Sequence, residues 1–313
     1  MIKKLLATIA LSMPFVHCGA QTSPVTQVVV PAPPGGPSDL IARIVIGKFQ
    51  VQGETFVIDN RAGANGMIAA RGVASDPKAW MVADGTLLTV NPLLYPKDKA
   101  FDIERDIEPV AGLLLQPTVL VVRAEAPWKT MKDLVAAAKT GNVSFASGGI
   151  GSSGHLTMGL FAEAAGFTPM HVPYKGIAPA LTDLIGGRVD AAFVLVSGVA
   201  GLMRSGKLRA LAVASDARLP LAPSVPTIAE AGLTGFRGEG AYFMMMSAKA
   251  PAADKEKVSE RMKQALSDTS LQDKLKELGL SPRWMSMADA KKWIATEHDR
   301  NAKFIANNNI RLE

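Results

Sequence analysis

Two apolar periods alternate along this chain, and the switches between them mark its elements. A β-rich run at Val28, Val29 and Val30 stops at the breaker Pro31-Ala32-Pro33-Pro34-Gly35-Gly36-Pro37. A helix then begins near Ser38, with Leu40, Ile41, Ile44, Val45 and Phe49 on one stripe. Residues 56–58 read as the next strand, followed by a turn over 60–66 and a small-residue helix through Arg71. Residues 87–90 and 118–122 read as buried strands. Helix over 129–139, strand over 143–147, helix over 155–165 and strand over 170–173 continue the pattern. A helix ending at Gly206 leads into a strand over 208–214, and 254–278 and 288–307 read as helical. Such alternation predicts parallel sheets covered by helices on both faces.

The chain has 313 residues, and at roughly 150 residues per domain it is expected to form two domains. Candidate crossings lie at 123–128 and 236–241, which would make the first domain discontinuous. The expected division is 1–20 as a signal peptide, 21–123 with 238–313 as one domain, and 124–237 as the other. Two parallel-sheet domains joined in this way leave a cleft lined by the carboxyl ends of strands.

Lys3 and Lys4 precede an apolar stretch over 5–16, and Cys18-Gly19-Ala20 offers small residues for cleavage. The stretch is too short to span a bilayer of about 30 Å. Export with cleavage after Ala20 is expected, and it would remove the chain's single cysteine, which suits an oxidising compartment. Disulfides are therefore excluded as the source of stability. The four histidines, at 17, 155, 171 and 298, have no metal-ligand spacing, so no metal is expected. Loss of the leader lowers the net charge of +6 by its two lysines. The remaining bases, such as Lys255, Lys257, Arg261, Lys263, Lys274 and Lys276, alternate with acids as on a solvated helix face. This distribution argues against a nucleic-acid partner.

Three Gly-rich turns lie between a strand end and a helix start. In Pro33-Pro34-Gly35-Gly36-Pro37-Ser38-Asp39, glycines allow close backbone approach, and the N–H groups of the helix start suit a carboxylate or phosphate. Ser147-Gly148-Gly149-Ile150-Gly151-Ser152-Ser153-Gly154-His155 contains G-x-G-x-x-G. The acid expected about 20 residues on is missing, which argues against a dinucleotide cofactor and leaves a small anion, with Ser152 and Ser153 hydroxyls as added donors. The neighbours Ser152, Ser153 and His155 also raise an exported serine hydrolase as the rival class, although no nucleophile elbow or separate base is evident. In the third turn, Lys175 or the Tyr174 hydroxyl could reach an anion. Gly201 to Leu208 matches G-x-x-x-x-G-K but has Leu208 where a phosphate loop needs Ser or Thr.

In these residues the chain resembles the Bug family, periplasmic receptors of tripartite tricarboxylate transporters. The resemblance is carried by Pro31 through Asp39, by Phe145 through Leu156, by His171-Val172-Pro173-Tyr174-Lys175-Gly176 and on to Asp190, by Gly206 through Val213, and by Val225 through Gly232. It implies a two-domain α/β venus-flytrap fold of type II-like periplasmic binding proteins with a central interdomain cleft. It further implies no catalytic step and no cofactor, with a small carboxylate delivered to transporter components in the membrane. A sensor kinase as the membrane partner is the alternative, and a monomer is expected. Carried over, ligand contacts fall on Pro34, Gly35, Gly36, Ser38 and Asp39, on Asn91, on Ser147, Gly151, Ser152, Ser153 and His155, and on Tyr174, Lys175 and Val194. Relatives often place an acid or amide at the position of Val194, where an acid would meet an ammonium group. N-terminal sequencing of the secreted form is expected to start at Gln21; a lipid-modified Cys18 would contradict the export reading.

Overall fold

A computed structural model of the chain describes residues 25–50, 55–95, 100–141, 143–308 and 310–311. The expected export segment lies outside the described residues. The first stretch contains β1 (Val25–Val30), α1 (Pro37–Gln50), β2 (Thr55–Asn60), α2 (Met67–Ser75), β3 (Trp80–Asp84), the short α3 (Thr86–Thr89), α4 (Asn91–Leu94) and α5 (Ile103–Asp106), and β4 (Ile107–Gln116). The second contains β5 (Thr118–Arg123), α6 (Met131–Ala138), β6 (Ser144–Ser147), α7 (Ser153–Ala165), β7 (Met170–Pro173), α8 (Ile177–Ile185), β8 (Ala191–Leu195), α9 (Val196–Arg204) and β9 (Leu208–Ala214). The chain closes with β10 (Gly240–Ser247), α10 (Ala252–Leu266), α11 (Thr269–Glu277), β11 (Ser281–Met285) and α12 (Met287–Asn307).

Two sheets result, a six-stranded one ordered β11-β4-β10-β3-β1-β2 and a five-stranded one ordered β7-β6-β8-β5-β9. Both are mixed rather than parallel throughout. In the first, β2, β1 and β3 run parallel while β10 runs against β3 and β4. In the second, β7, β6 and β8 run parallel while β5 runs against β8 and β9. The direction follows from the connection: β5 and β10 each arrive from the other sheet. They enter at the end where the parallel strands finish and must run back. Thr118 accordingly pairs with Leu195 at the end of β8, and Tyr242 with Asp84 at the end of β3. The chain passes between the sheets at Pro117, upstream of the stretch 123–128 suggested by the sequence, and returns through 215–239.

Successive strand residues serve opposite faces, as the pleat requires. Val28, Val30, Tyr242, Met244 and Met246 enter one apolar layer of the first sheet, and Val29, Phe243 and Met245 the other. Leu120 and Val122 enter one layer of the second sheet, Val119 and Val121 the other. Coverage of both faces explains why these strands read as continuous apolar runs.

Several expectations change. Residues 87–89 belong to α3 instead of a strand, and Asp84 accepts the Thr86 N–H at 2.8 Å just before it. A short apolar run cannot by itself tell a buried strand from a buried helix. The helix expected over 254–278 is two helices, divided where Asp268 caps α11 by accepting the Leu271 N–H at 3.0 Å. β4 carries Pro109 and Gly112, which hid it; an added Cβ at Gly112 would come within 2.7 Å of the Met285 side chain. β11 carries Pro282 and lies at the sheet edge, where a missing N–H is tolerated.

A further apolar cluster spans the lobes, with Val90 from the β3–α4 connection, Leu156 from α7, and Phe304 and Ile305 from α12. α12 packs on β4 and α3 and reaches across to α7. Phe304 sits against the bare backbone of Gly159, where an ideal Cβ would lie 1.9 Å from its ring. Gly159→Ala is therefore expected to destabilise the protein by about 1–3 kcal/mol through overpacking, lowering Tm by several degrees. Phe304→Leu on that background should recover part of the loss in thermal melts. An unchanged Tm in Gly159→Ala would show that α12 does not lock against α7.

Candidate anion-binding site

The loop after β1 is a tight turn: the Gly36 N–H donates to the Pro33 carbonyl at 3.1 Å. Pro34 and Gly35 occupy its centre, and the φ of +80° at Gly35 is the left-handed value that the third position of a type II turn requires. Asp39, only 2% exposed, holds the turn from below. Its Oδ2 accepts the Gly35 N–H at 2.9 Å and the Arg43 Nε–H at 2.8 Å, and its Oδ1 accepts from Asn60 Nδ2 at 2.9 Å. The Arg43 hydrogen bond, aided by Gly35 and Asn60, overcomes burial and holds the Asp39 carboxyl down to about 2. The Asp39 carboxylate is thus a brace for the loop. The amides of Gly35 and Gly36 are also spent inside the loop. What remains open is the first turn of α1: Pro37 has no N–H, and those of Ser38 and Asp39 have no intrahelical acceptor.

The second loop repeats this economy. Ser147, fully buried, accepts the Gly149 N–H through its Oγ at 3.1 Å and lies 2.7 Å from His171 Nε2. The Gly151 N–H donates to His155 Nδ1 at 3.1 Å. Ser152 caps α7: its Oγ donates to the Gly149 carbonyl at 2.7 Å and accepts the His155 N–H at 3.4 Å. The Ser153 and Gly154 amides at the start of α7 remain without an intrahelical acceptor. Gly154 also lets α7 approach β8, since a Cβ there would lie 2.5 Å from the Phe193 carbonyl oxygen.

Each helix start places a serine near the boundary between the lobes. Ser38 Oγ donates to the Tyr242 hydroxyl at 3.3 Å, and Tyr242 pairs in register with Asp84. Asp84, Thr86, Gly240 and Ser153 line a small cavity of about 40 Å³ between the lobes. Desolvation pushes the Asp84 carboxyl up, and burial pushes the Tyr242 hydroxyl up, helped by the Asp84 charge. Sequence reasoning missed Asp84, Thr86 and Tyr242. Asp84 and Thr86 lie just before the misread segment 87–90, and nothing local marked Tyr242. Wider grooves lie elsewhere, including one of about 870 Å³ behind the crossing segments, between α7 and α12.

Other expected contacts have different duties. Asn91 is fully buried and exchanges two hydrogen bonds with Asn65: its Nδ2 donates to the Asn65 carbonyl at 2.9 Å and its Oδ1 accepts from Asn65 Nδ2 at 2.7 Å. It ties two loops of the first lobe together. The Tyr174 hydroxyl donates to Asp183 at 2.8 Å, which turns it toward α8, and Lys175 is exposed on its loop. Val194, 4% exposed, packs in the apolar layer beneath α8 and α9. An acid there would be buried among aliphatic side chains.

A serine nucleophile finds no support in the loop. Ser152 Oγ is engaged by Gly149 and the backbone of residue 155, while His155 turns its Nδ1 to Gly151. Ser147 does meet an imidazole, yet it is wholly buried. Among the described residues no group of three or more His, Cys, Asp or Glu could hold a metal, and no helix is long and apolar enough to cross a membrane.

The sequence profile of the tripartite tricarboxylate transporter family receptor matches residues 41–310. A protein encoded between tcbD and tcbE in Pseudomonas sp. strain P51 is 37% identical over 290 residues, covering 89% of this chain and 86% of that one. The solved structure of Rpa4515 from R. palustris with adipate superposes with a TM-score of 0.80 at 30% identity, covering 93% of this chain and 99% of that one. MatC (Rpa3494) from Rhodopseudomonas palustris with bound malate gives a TM-score of 0.74 at 27% identity, covering 90% of this chain and 98% of that one.

Proposed function

This chain belongs to the receptors of the tripartite tricarboxylate transporter family, and from that membership we propose that it captures a small carboxylate between its two lobes and presents it to a membrane transporter. The observation that carries the reading is the pair of helix starts, α1 and α7, each with open first-turn amides beside a serine hydroxyl. Partial positive charge at a helix N-terminus suits an anion without a cationic side chain. The charge of Asp39 is already met by Arg43, Asn60 and Gly35, so it does not repel the ligand. Ser38, Ser153 and the amides of Ser38, Asp39, Ser153 and Gly154 hold the carboxylate. Gly35, Gly36, Gly151 and Ser152 shape the loops that aim them. The adipate and malate held by the structural relatives support a dicarboxylate as the ligand class. The protein works in the periplasm after cleavage near Ala20, as a monomer, with its lobes joined at Pro117 and through 215–239. Delivery to transporter components is the reading adopted here over signalling to a sensor kinase.

Ligands that bind only the native state raise its stability by about 2.7 kcal/mol at a hundredfold excess over Kd. Thermal melts with adipate, malate, benzoate and neutral sugars are expected to show upward shifts confined to the carboxylates. Gly151→Ala strains a φ of +76° and brings a Cβ within 3.0 Å of Leu94, and should abolish most of the shift while circular dichroism shows an intact fold. Shifts confined to the sugars would overturn the proposal.

A further inference from the structure

His155 and His171 lie on different elements, α7 and β7, yet their rings stack with centroids 4.1 Å apart and planes 8° from parallel. Each ring then bonds a different point of the same loop. His155 Nδ1 accepts the Gly151 N–H at 3.1 Å, and His171 Nε2 meets Ser147 Oγ at 2.7 Å. We propose that the stacked pair is an uncharged brace that sets the shape of the Gly-Ser loop, making both histidines positioning residues for carboxylate binding rather than ligand contacts. The inference rests on reading that loop as part of the carboxylate site.

Three features carry it. First, the acceptor role of His155 Nδ1 fixes the neutral tautomer with its proton on Nε2. Second, two parallel imidazoles at this separation tolerate a pair of positive charges poorly. Burial and the neighbouring His171 push His155 down to about 4, and burial lowers His171 as well. Third, among the described residues no carboxylate lies at bonding distance from the pair. The Phe304 ring of α12 meets His155 edge-on, with centroids 6.1 Å apart. Behind the rings lies a cavity of about 460 Å³ whose described lining holds one carboxylate, Glu163, besides neutral groups such as Thr168 and Asn307. Below about 4, a proton on His155 Nδ1 would face the Gly151 N–H donor to donor and release the loop. The sign for folding agrees. The unfolded chain takes up the His155 proton near the ordinary value of 6.5 and the native state only near 4, so stability falls as pH drops through that window and levels below it.

Amide side chains separate the two ring nitrogens, because asparagine places its end group near Nδ1 and glutamine near Nε2. Titration calorimetry with adipate at pH 7 should find His155→Gln weakened about tenfold or more, as for a lost buried hydrogen bond, with His155→Asn recovering most of that loss. At position 171 the order should reverse, His171→Gln binding better than His171→Asn. Between pH 6 and 4 the ratio of wild-type to His155→Asn affinity should fall, and taking the ratio cancels the titration of adipate itself. Equal affinities for Asn and Gln at both positions would overturn the brace. Ring NMR of the ligand-free protein gives a readout independent of the ligand: the brace requires the Nε2–H tautomer at His155, and the Nδ1–H tautomer contradicts it. If wild type binds none of adipate, malate or benzoate, the carboxylate reading fails and the tautomer alone decides the brace.

Discussion

A helix leaves its first amides without acceptors, and in this protein the starts of α1 and α7 bring such amides to facing edges of two lobes. Everything near them is arranged to keep them open. Loop amides that might compete are used internally, at Gly36 by Pro33, at Gly35 by Asp39 and at Gly151 by His155. The side chains that could neutralise the helix starts are tied off as well, Asp39 by Arg43 and Asn60. The glycines therefore serve geometry more than donation: the left-handed backbone at Gly35 and Gly151 lets each loop fold on itself.

The sheets bring these starts to the boundary between the lobes. Strands β1, β3, β6 and β8 all finish toward the boundary between lobes, and the two crossing strands β5 and β10 begin there. Because β10 starts at this boundary, it can deliver Gly240 and Tyr242 beside Asp84 on the first lobe, while Ser153 arrives from the second. α12 adds a contact of a different kind, an apolar seat for Phe304 on the bare backbone of Gly159. It joins the lobes beside the Gly-Ser loop, where Phe304 also meets the ring of His155. A ligand that touches both helix starts stabilises the arrangement with the lobes together.

Much of this was legible in the sequence, and the failures have physical causes. The parallel strands were readable because burial on both faces gives continuous apolar runs such as Val28-Val29-Val30. The two glycine-rich loops were readable as turns because tight turns before helices require glycine and proline. The antiparallel strands were not, since β10 and β5 look like any buried strand and their direction depends on a distant connection. Residues 87–90 failed because a short buried apolar run reads the same as strand or helix. Within the loops, sequence could mark which residues are unusual without telling donors from braces. Asp39, Asn91 and Tyr174 are polar residues at the right addresses whose partners are protein groups. Val194 sits on a buried strand, where an apolar residue needs no functional explanation.

The central claim is that helix-start amides, and not the glycine amides, grip the carboxylate. Backbone amide NMR during titration with adipate reads each N–H separately. The account predicts the largest downfield proton shifts at Ser38, Asp39, Ser153 and Gly154, with Gly35, Gly36 and Gly151 moving little because their protons keep their internal acceptors. Large shifts at Gly35, Gly36 and Gly151 with the four helix-start amides unmoved would contradict it.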